Sequence, residues 1–123
     1  MNLEELKTAT RQEVFDVIVN HLLTQNEKSM GPSEKDPSNE VCKYFGPRGL
    51  KCAAGCLIDD YEYRSDLENS NWSGLVSSGK VPYAHQDTIT ALQCIHDSDS
   101  VKNWERCLRQ YAEKNLVKFN WKG

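Results

Sequence analysis

The chain has no long hydrophobic run. Its longest apolar stretches are "CAAGCLI" and the interrupted "VFDVIVNHLL", both far short of the ~20 residues a helix needs to cross a bilayer. The first residues, "MNLEELKTATRQEV", carry neither a basic segment nor an apolar one, so no signal peptide is expected. These absences predict a soluble, cytoplasmic protein that does not engage a membrane. Positive charge is not in excess either: 18 acidic against 15 basic residues leave a formal net charge of −3. Nothing here is the basic footprint that drives nucleic-acid binding, so a nucleic-acid partner is not expected. There is no Walker sequence, no G-x-G-x-x-G, no H-E-x-x-H and no G-x-S-x-G. Internal repeats and low-complexity segments are missing as well. With 123 residues the chain reads as one domain, 1–123, around a single core.

What is present is helical patterning. Thr10 followed by Glu13 is a capping box, each side chain satisfying a free backbone N–H. Val14, Val17, Ile18, His21 and Leu22 then recur at helical spacing, predicting a helix from Arg11 to about Gln25. The segment "NEKSMGPSEKDPSNE" reads as a loop. "VCKYF" and "LKC" flank the turn "GPRG", which predicts a β-hairpin. A one- to two-turn helix is expected from Ala53 and a short helix over Trp72 to Ser77, stopped near Gly79. Asp87 reads as the cap of a helix whose face carries Ile89, Leu92, Ile95 and His96. Ser100 reads as the cap of the last helix, with a stripe of Val101, Trp104, Leu108, Tyr111 and Ala112 and a left-handed stop at Asn115. The tail "LVKFNWKG" is apolar enough to dock. The expected class is mainly α, an α+β domain with one short hairpin.

Three of the five cysteines fall in "VCKYFGPRGLKCAAGC". Without a sign of secretion, and with an odd count, disulfides are not expected. Cys42, Cys52 and Cys56, with His21 from the first helix, are the set that would hold a metal; zinc is the ion they would take, and no other cofactor is expected. A four-residue turn, however, pairs Cys42 with Ala53 and puts Cys42 and Cys52 on opposite faces. The plainer reading is that the thiols are small core residues, and Cys94 and Cys107 read the same way. A nucleophilic Cys52 or Cys56 with His96 and Asp97 supplies the residue types of a thiol enzyme. Neighbours such as His96 and Asp97 do not face one another on a helix. His85 and His96 lie too close in sequence to be ligands on separate helices, as a His-Asp phosphohydrolase needs.

The stretches "EVFDVIVNHLLTQNEKS", "CKYFGPRGLKCAAGCLIDDYEY" and "LQCIHDSDSVKNWERCL" carry a resemblance. They resemble a family of small phage and bacterial proteins with a first helix ending in "HLL", a "C-x-Y" strand, "G-x-K-C-A-x-G-C-L-I" and "L-Q-x-I-H-D" before a Trp-containing helix. The positions that carry it include Cys42, Tyr44, Cys52, Gln93, His96, Asp97 and Trp104. Phe45 replaces an Arg of that pattern, which counts against anion binding by the strand, and Asp59 replaces a Pro.

The resemblance implies a phage or prophage accessory protein and no particular reaction. Together with the missing catalytic signatures it leads to a non-enzymatic binding protein acting on a host cytosolic factor, either a host protein or a small nucleotide-like signal held in a pocket or at a subunit interface. Loop aromatics Tyr61, Tyr63 and Trp72, the strand residue Tyr44, the turn cations Arg48 and Lys51, and His96 are the candidate binding residues. A thiol- or metal-dependent enzyme and a zinc-stabilised interaction module are the alternatives.

Overall fold

The computed structural model describes residues 1–123. The chain forms five α-helices and one two-stranded antiparallel sheet, the α+β class expected. In chain order they are α1 (Leu3–Leu6), α2 (Arg11–Gln25), β1 (Met30–Pro32), β2 (Glu40–Cys42), α3 (Trp72–Ser77), α4 (Gln86–Ser98) and α5 (Trp104–Asn115). The longest helix follows its local code. Thr10 and Glu13 exchange both bonds of the capping box, and Asn26 closes α2 in the left-handed region at φ 54°. Val14, Phe15, Ile18 and Leu22 of α2 are completely buried and meet Ile89 and Leu92 of α4 and Trp104 and Leu108 of α5. Each such large side chain contributes about 2 kcal/mol by leaving water. α1 was not expected, because four residues are too few for a periodic signal. Its Asn2 cap accepts from Glu5 N–H at 2.8 Å, and it buries Leu6.

The hairpin lies elsewhere than expected. β1, inside the segment read as a loop, pairs with β2 in the register Met30–Cys42, Gly31–Val41 and Pro32–Glu40. Around "GPRG" only one bridge forms, between Phe45 and Lys51, closed by Gly46 N–H donating to Leu50 O at 2.7 Å. The cause is competition for backbone donors. Lys43 N–H donates to Ser29 O at 3.0 Å. Tyr44 and Phe45 N–H donate to the two carboxylate oxygens of buried Glu68, at 3.0 and 3.2 Å. A carboxylate accepts a stronger bond than a carbonyl does, so the strand turns away from its expected partner.

Three caps also differ. His85, at φ 62°, precedes α4 and Asp87 lies inside its first turn. Ser100 opens a 3-10 turn, Val101–Asn103, that leads into α5, and its side chain makes no cap bond. Leu116 rather than Asn115 takes the left-handed position, at φ 58°. Asn115 instead uses its side chain, donating to Tyr111 O at 2.8 Å. The tail docks as expected: Lys118 and Gln12 exchange two bonds of 2.8 Å, and Phe119 meets Phe15 edge-on.

Candidate functional site

Gln93, His96 and Asp97 stand on one face of the last turns of α4, as i, i+3 and i+4 spacing requires. Opposite them are Cys42 at the end of β2, Ser29 just before β1, and the turn that begins at Cys52. Gln93 is the hub. Its carbonyl oxygen accepts from Ala54 N–H at 2.9 Å, which orients the amide. Its nitrogen then donates to Cys42 Sγ at 3.0 Å and to Asp97 Oδ1 at 2.8 Å. Gly55 lets this turn come so close: a Cβ there would stand 2.1 Å from the Tyr44 carbonyl oxygen.

His96 is completely buried and stacks on Trp104 with ring centres 5.4 Å apart. Ser29 N–H donates to its Nε2 at 3.0 Å. A backbone N–H only donates, so Nε2 holds the lone pair and Nδ1 carries the proton, which goes to Asp97 Oδ1 at 2.7 Å. The neighbours His96 and Asp97 therefore do meet, contrary to the helical expectation, because at the end of α4 both side chains turn toward Gln93. Ser29 extends the network. Its hydroxyl lies 2.7 Å from Lys43 O and 3.3 Å from Leu50 O, tying the sheet and the "GPRG" turn to α4.

Charge follows from this arrangement. Burial works against a charged Asp97, but the His96 and Gln93 donors outweigh it and hold the carboxyl below its ordinary range. At His96 burial disfavours the cation, while the Asp97 carboxylate bonded to the ring favours it, and the pKa is raised. A second proton on the ring would still have to displace Ser29 N–H. Cys42 is held as a thiol by its hydrogen bond with Cys52 and by burial, and burial pushes Cys56 up to about 12. None of these thiols is an activated nucleophile. The lone pair of His96 faces Ser29, so it is not available as their base.

Cys42 Sγ, a His96 ring nitrogen and an Asp97 oxygen lie within 4.8 Å of one another, the spacing of ligands around a cation. The protons do not fit one. A metal on Nδ1 leaves the ring proton on Nε2, where a second-shell acceptor is needed and the Ser29 donor stands instead. The Gln93 nitrogen, itself a donor, already bonds both Cys42 and Asp97. The set expected from sequence splits in two. His21 and Cys56 share a shallow depression beside α2, where His21 Nε2 donates to Lys51 O at 2.8 Å and the Cys56 thiol to Ala53 O at 3.1 Å. Cys42 and Cys52 meet on the other side, since pairing with β1 removes the register that would have separated them.

Cys42, Gln93 and Asp97 form one wall of a cleft of about 570 Å³ between β2, α4 and the start of α3. Tyr44 and Trp72 line it, packed edge-to-face at 6.4 Å. Both were expected binding residues, and the Tyr44 hydroxyl is anchored on Ser70 O at 2.6 Å. His96 stands behind Asp97. The other candidates lie elsewhere. Arg48 pairs with Glu27. Lys51 sits over the Phe45 ring, 4.2 Å from its centre, and reaches Asp60 at 3.5 Å. Tyr63 stacks on Phe45 at 4.0 Å and donates to Glu68 at 2.7 Å. Tyr61 is 93% exposed and touches none of this. His85 Nε2 donates to Ala9 O at 2.6 Å, at the opposite end of α4 from His96.

Sequence reasoning placed neither Gln93 nor Asp97 among the binding residues, although their i, i+4 spacing was visible. It missed Ser29 and Glu68 entirely, since polar residues in loops carry no sign of burial. Cys42, Cys52, Gln93, His96, Asp97 and Trp104 meet at this one place. No protein-family model, curated protein or solved structure matches the chain.

Proposed function

We propose that the protein is a non-catalytic binding protein that holds a small, nucleotide-like ligand of a host cell in the cleft between β2 and α4. The cleft carries this reading. Its volume of about 570 Å³ suits a nucleoside-sized molecule, and it combines the aromatic pair Tyr44 and Trp72 with pre-oriented polar groups on α4. The resemblance to phage and bacterial proteins supports a phage accessory protein that works in the host cytoplasm. An enzyme using Cys52 or Cys56 with His96 is the weaker reading. Cys52 is buried with its sulfur 3.4 Å from Gly55 N–H, burial pushes the Cys56 thiol up to about 12, and His96 is committed to Ser29 and Asp97.

The test is to purify the chain from bacterial cytosol without chelator, denature it, and identify released small molecules by mass spectrometry. A retained nucleoside or nucleotide that is lost in Thr90→Trp, a substitution at an exposed α4 position lining the cleft, supports the reading. A co-purifying host protein with no small molecule, unaffected by Thr90→Trp, replaces it with protein capture. One equivalent of zinc would restore the metal-stabilised module.

A further inference from the structure

The charges lining the cleft narrow its ligand. Asp97 is its one carboxylate and Lys35 its one cation. The carboxylate is held by a single oxygen: Oδ1 accepts from both His96 Nδ1–H and Gln93, and Oδ2 has no protein donor. The side chain lines the cleft and is 43% exposed, which leaves Oδ2 as the oxygen free to take a ligand donor. Its orientation is set before any ligand arrives, because Ser29 fixes His96 and Ala54 fixes Gln93. A charged acceptor oriented in this way makes its strongest bond to an N–H donor or a protonated nitrogen.

Recognition of a phosphate chain needs the opposite equipment, several Arg or Lys side chains or free backbone N–H groups. Lys35 is alone. The Gly74 N–H at the start of α3 is already taken by Asn71 Oδ1 at 2.8 Å. Hydroxyls of Ser73, Thr90 and Ser98 supply neutral partners for a sugar or a ring carbonyl.

We infer that the cleft selects a small ligand that presents a donor nitrogen of guanine or guanidine type to Asp97 Oδ2, and that phosphates on that ligand add nothing to its affinity. This rests on the reading of the cleft as the ligand seat. The same donor chemistry is offered by a free nucleoside and by an alkyl guanidine, so the probes separate the two sources.

The test is calorimetric titration of the full chain with guanosine, purine riboside (the same sugar on a ring without any N–H), GTP and agmatine. Guanosine or agmatine should bind, and which one does identifies the source. Purine riboside should bind at least roughly tenfold more weakly than guanosine, the size expected for losing a hydrogen bond to a charged group, and GTP no better than guanosine. Asp97→Asn, checked for an unchanged fold by circular dichroism, should weaken the active probe by roughly tenfold to a hundredfold. If Asp97→Asn does not fold, the comparison between guanosine and purine riboside in the natural chain decides. Equal binding of those two, tighter binding of GTP, or no loss in Asp97→Asn would overturn the inference. In those cases binding that Thr90→Trp abolishes would leave the cleft as the ligand seat. Failure of all four probes would overturn the inference, and the identity of the co-purifying molecule would then judge the cleft separately.

Discussion

Replacing His96 by Phe isolates the network from the packing. Phenylalanine keeps a flat ring of similar size against Trp104, so the stack at 5.4 Å is retained in outline. The loss falls on polar groups. Ser29, completely buried, has its N–H bonded to His96 Nε2, and the substitution leaves that donor without an acceptor. An unsatisfied buried donor costs about 1–3 kcal/mol. Asp97 also loses its Nδ1–H partner, but it is partly exposed and water replaces part of that bond. A total of about 2–3 kcal/mol is therefore expected, which for a domain of this size lowers Tm by roughly 6–15 °C.

Urea unfolding followed by circular dichroism at pH 7 measures the energy, and amide exchange reports on Ser29 directly. The Ser29 amide should lose protection before the amides of α2 do, because its segment is held to α4 through this bond. His96→Phe stability within about 0.5 kcal/mol of the natural chain, a change typical of surface substitutions, would refute the assignment of Nε2 as the acceptor that closes the core.

Other substitutions test neighbouring parts. Gly55→Ala forces a methyl to within 2.1 Å of the Tyr44 carbonyl oxygen, a backbone atom with no freedom to step aside; thermal melting should show a loss of about 1–3 kcal/mol or more. Alkylation with iodoacetamide, followed by peptide mass mapping, should modify exposed Cys94 first and leave Cys42, Cys52 and Cys56 slow until the chain unfolds; rapid reaction at Cys56 would restore the thiol-enzyme reading. Asp97 has a folded pKa below its ordinary 3.8, so the stability it adds is present above about that pH and is lost as pH falls through the folded value. Acid melts of Asp97→Asn should therefore lose stability less steeply below pH 4 than melts of the natural chain, and parallel curves would contradict the depressed value.

The helices were legible in the sequence because their codes are local. The pairing of Thr10 with Glu13, the spacing of Val14, Ile18 and Leu22, and the run from Trp72 to Ser77 each act within one or two turns, and the structure keeps them. Caps were less legible. Asp87, Ser100 and Asn115 all have suitable side chains, yet His85, a 3-10 turn and Leu116 occupy the ends, because the direction in which the chain enters the core decides which residue bends. Of the three-residue strands β1 was not legible, and β2 only in part: the strand expected at "VCKYF" shares Val41 and Cys42 with it but was given another partner. β1 and β2 are too short for an alternation pattern, and a Gly-Pro turn in the neighbouring stretch offered a stronger local signal.

The sequence by itself determined the class, the longest helix and the docking of the tail. All of these follow from side-chain periodicity and from apolar surface leaving water. Only the tertiary structure decided that Glu68 takes the N–H groups of Tyr44 and Phe45, that Ser29 meets His96, and that Gln93 joins Ala54 and Cys42. These bonds cross 23 to 67 residues of chain. Each depends on where water is excluded, since a buried donor must find an acceptor among whatever the packed helices place beside it. That requirement, set by the core as a whole, gathers thiol, amide and carboxylate on one wall of the cleft, with the imidazole of His96 buried behind them.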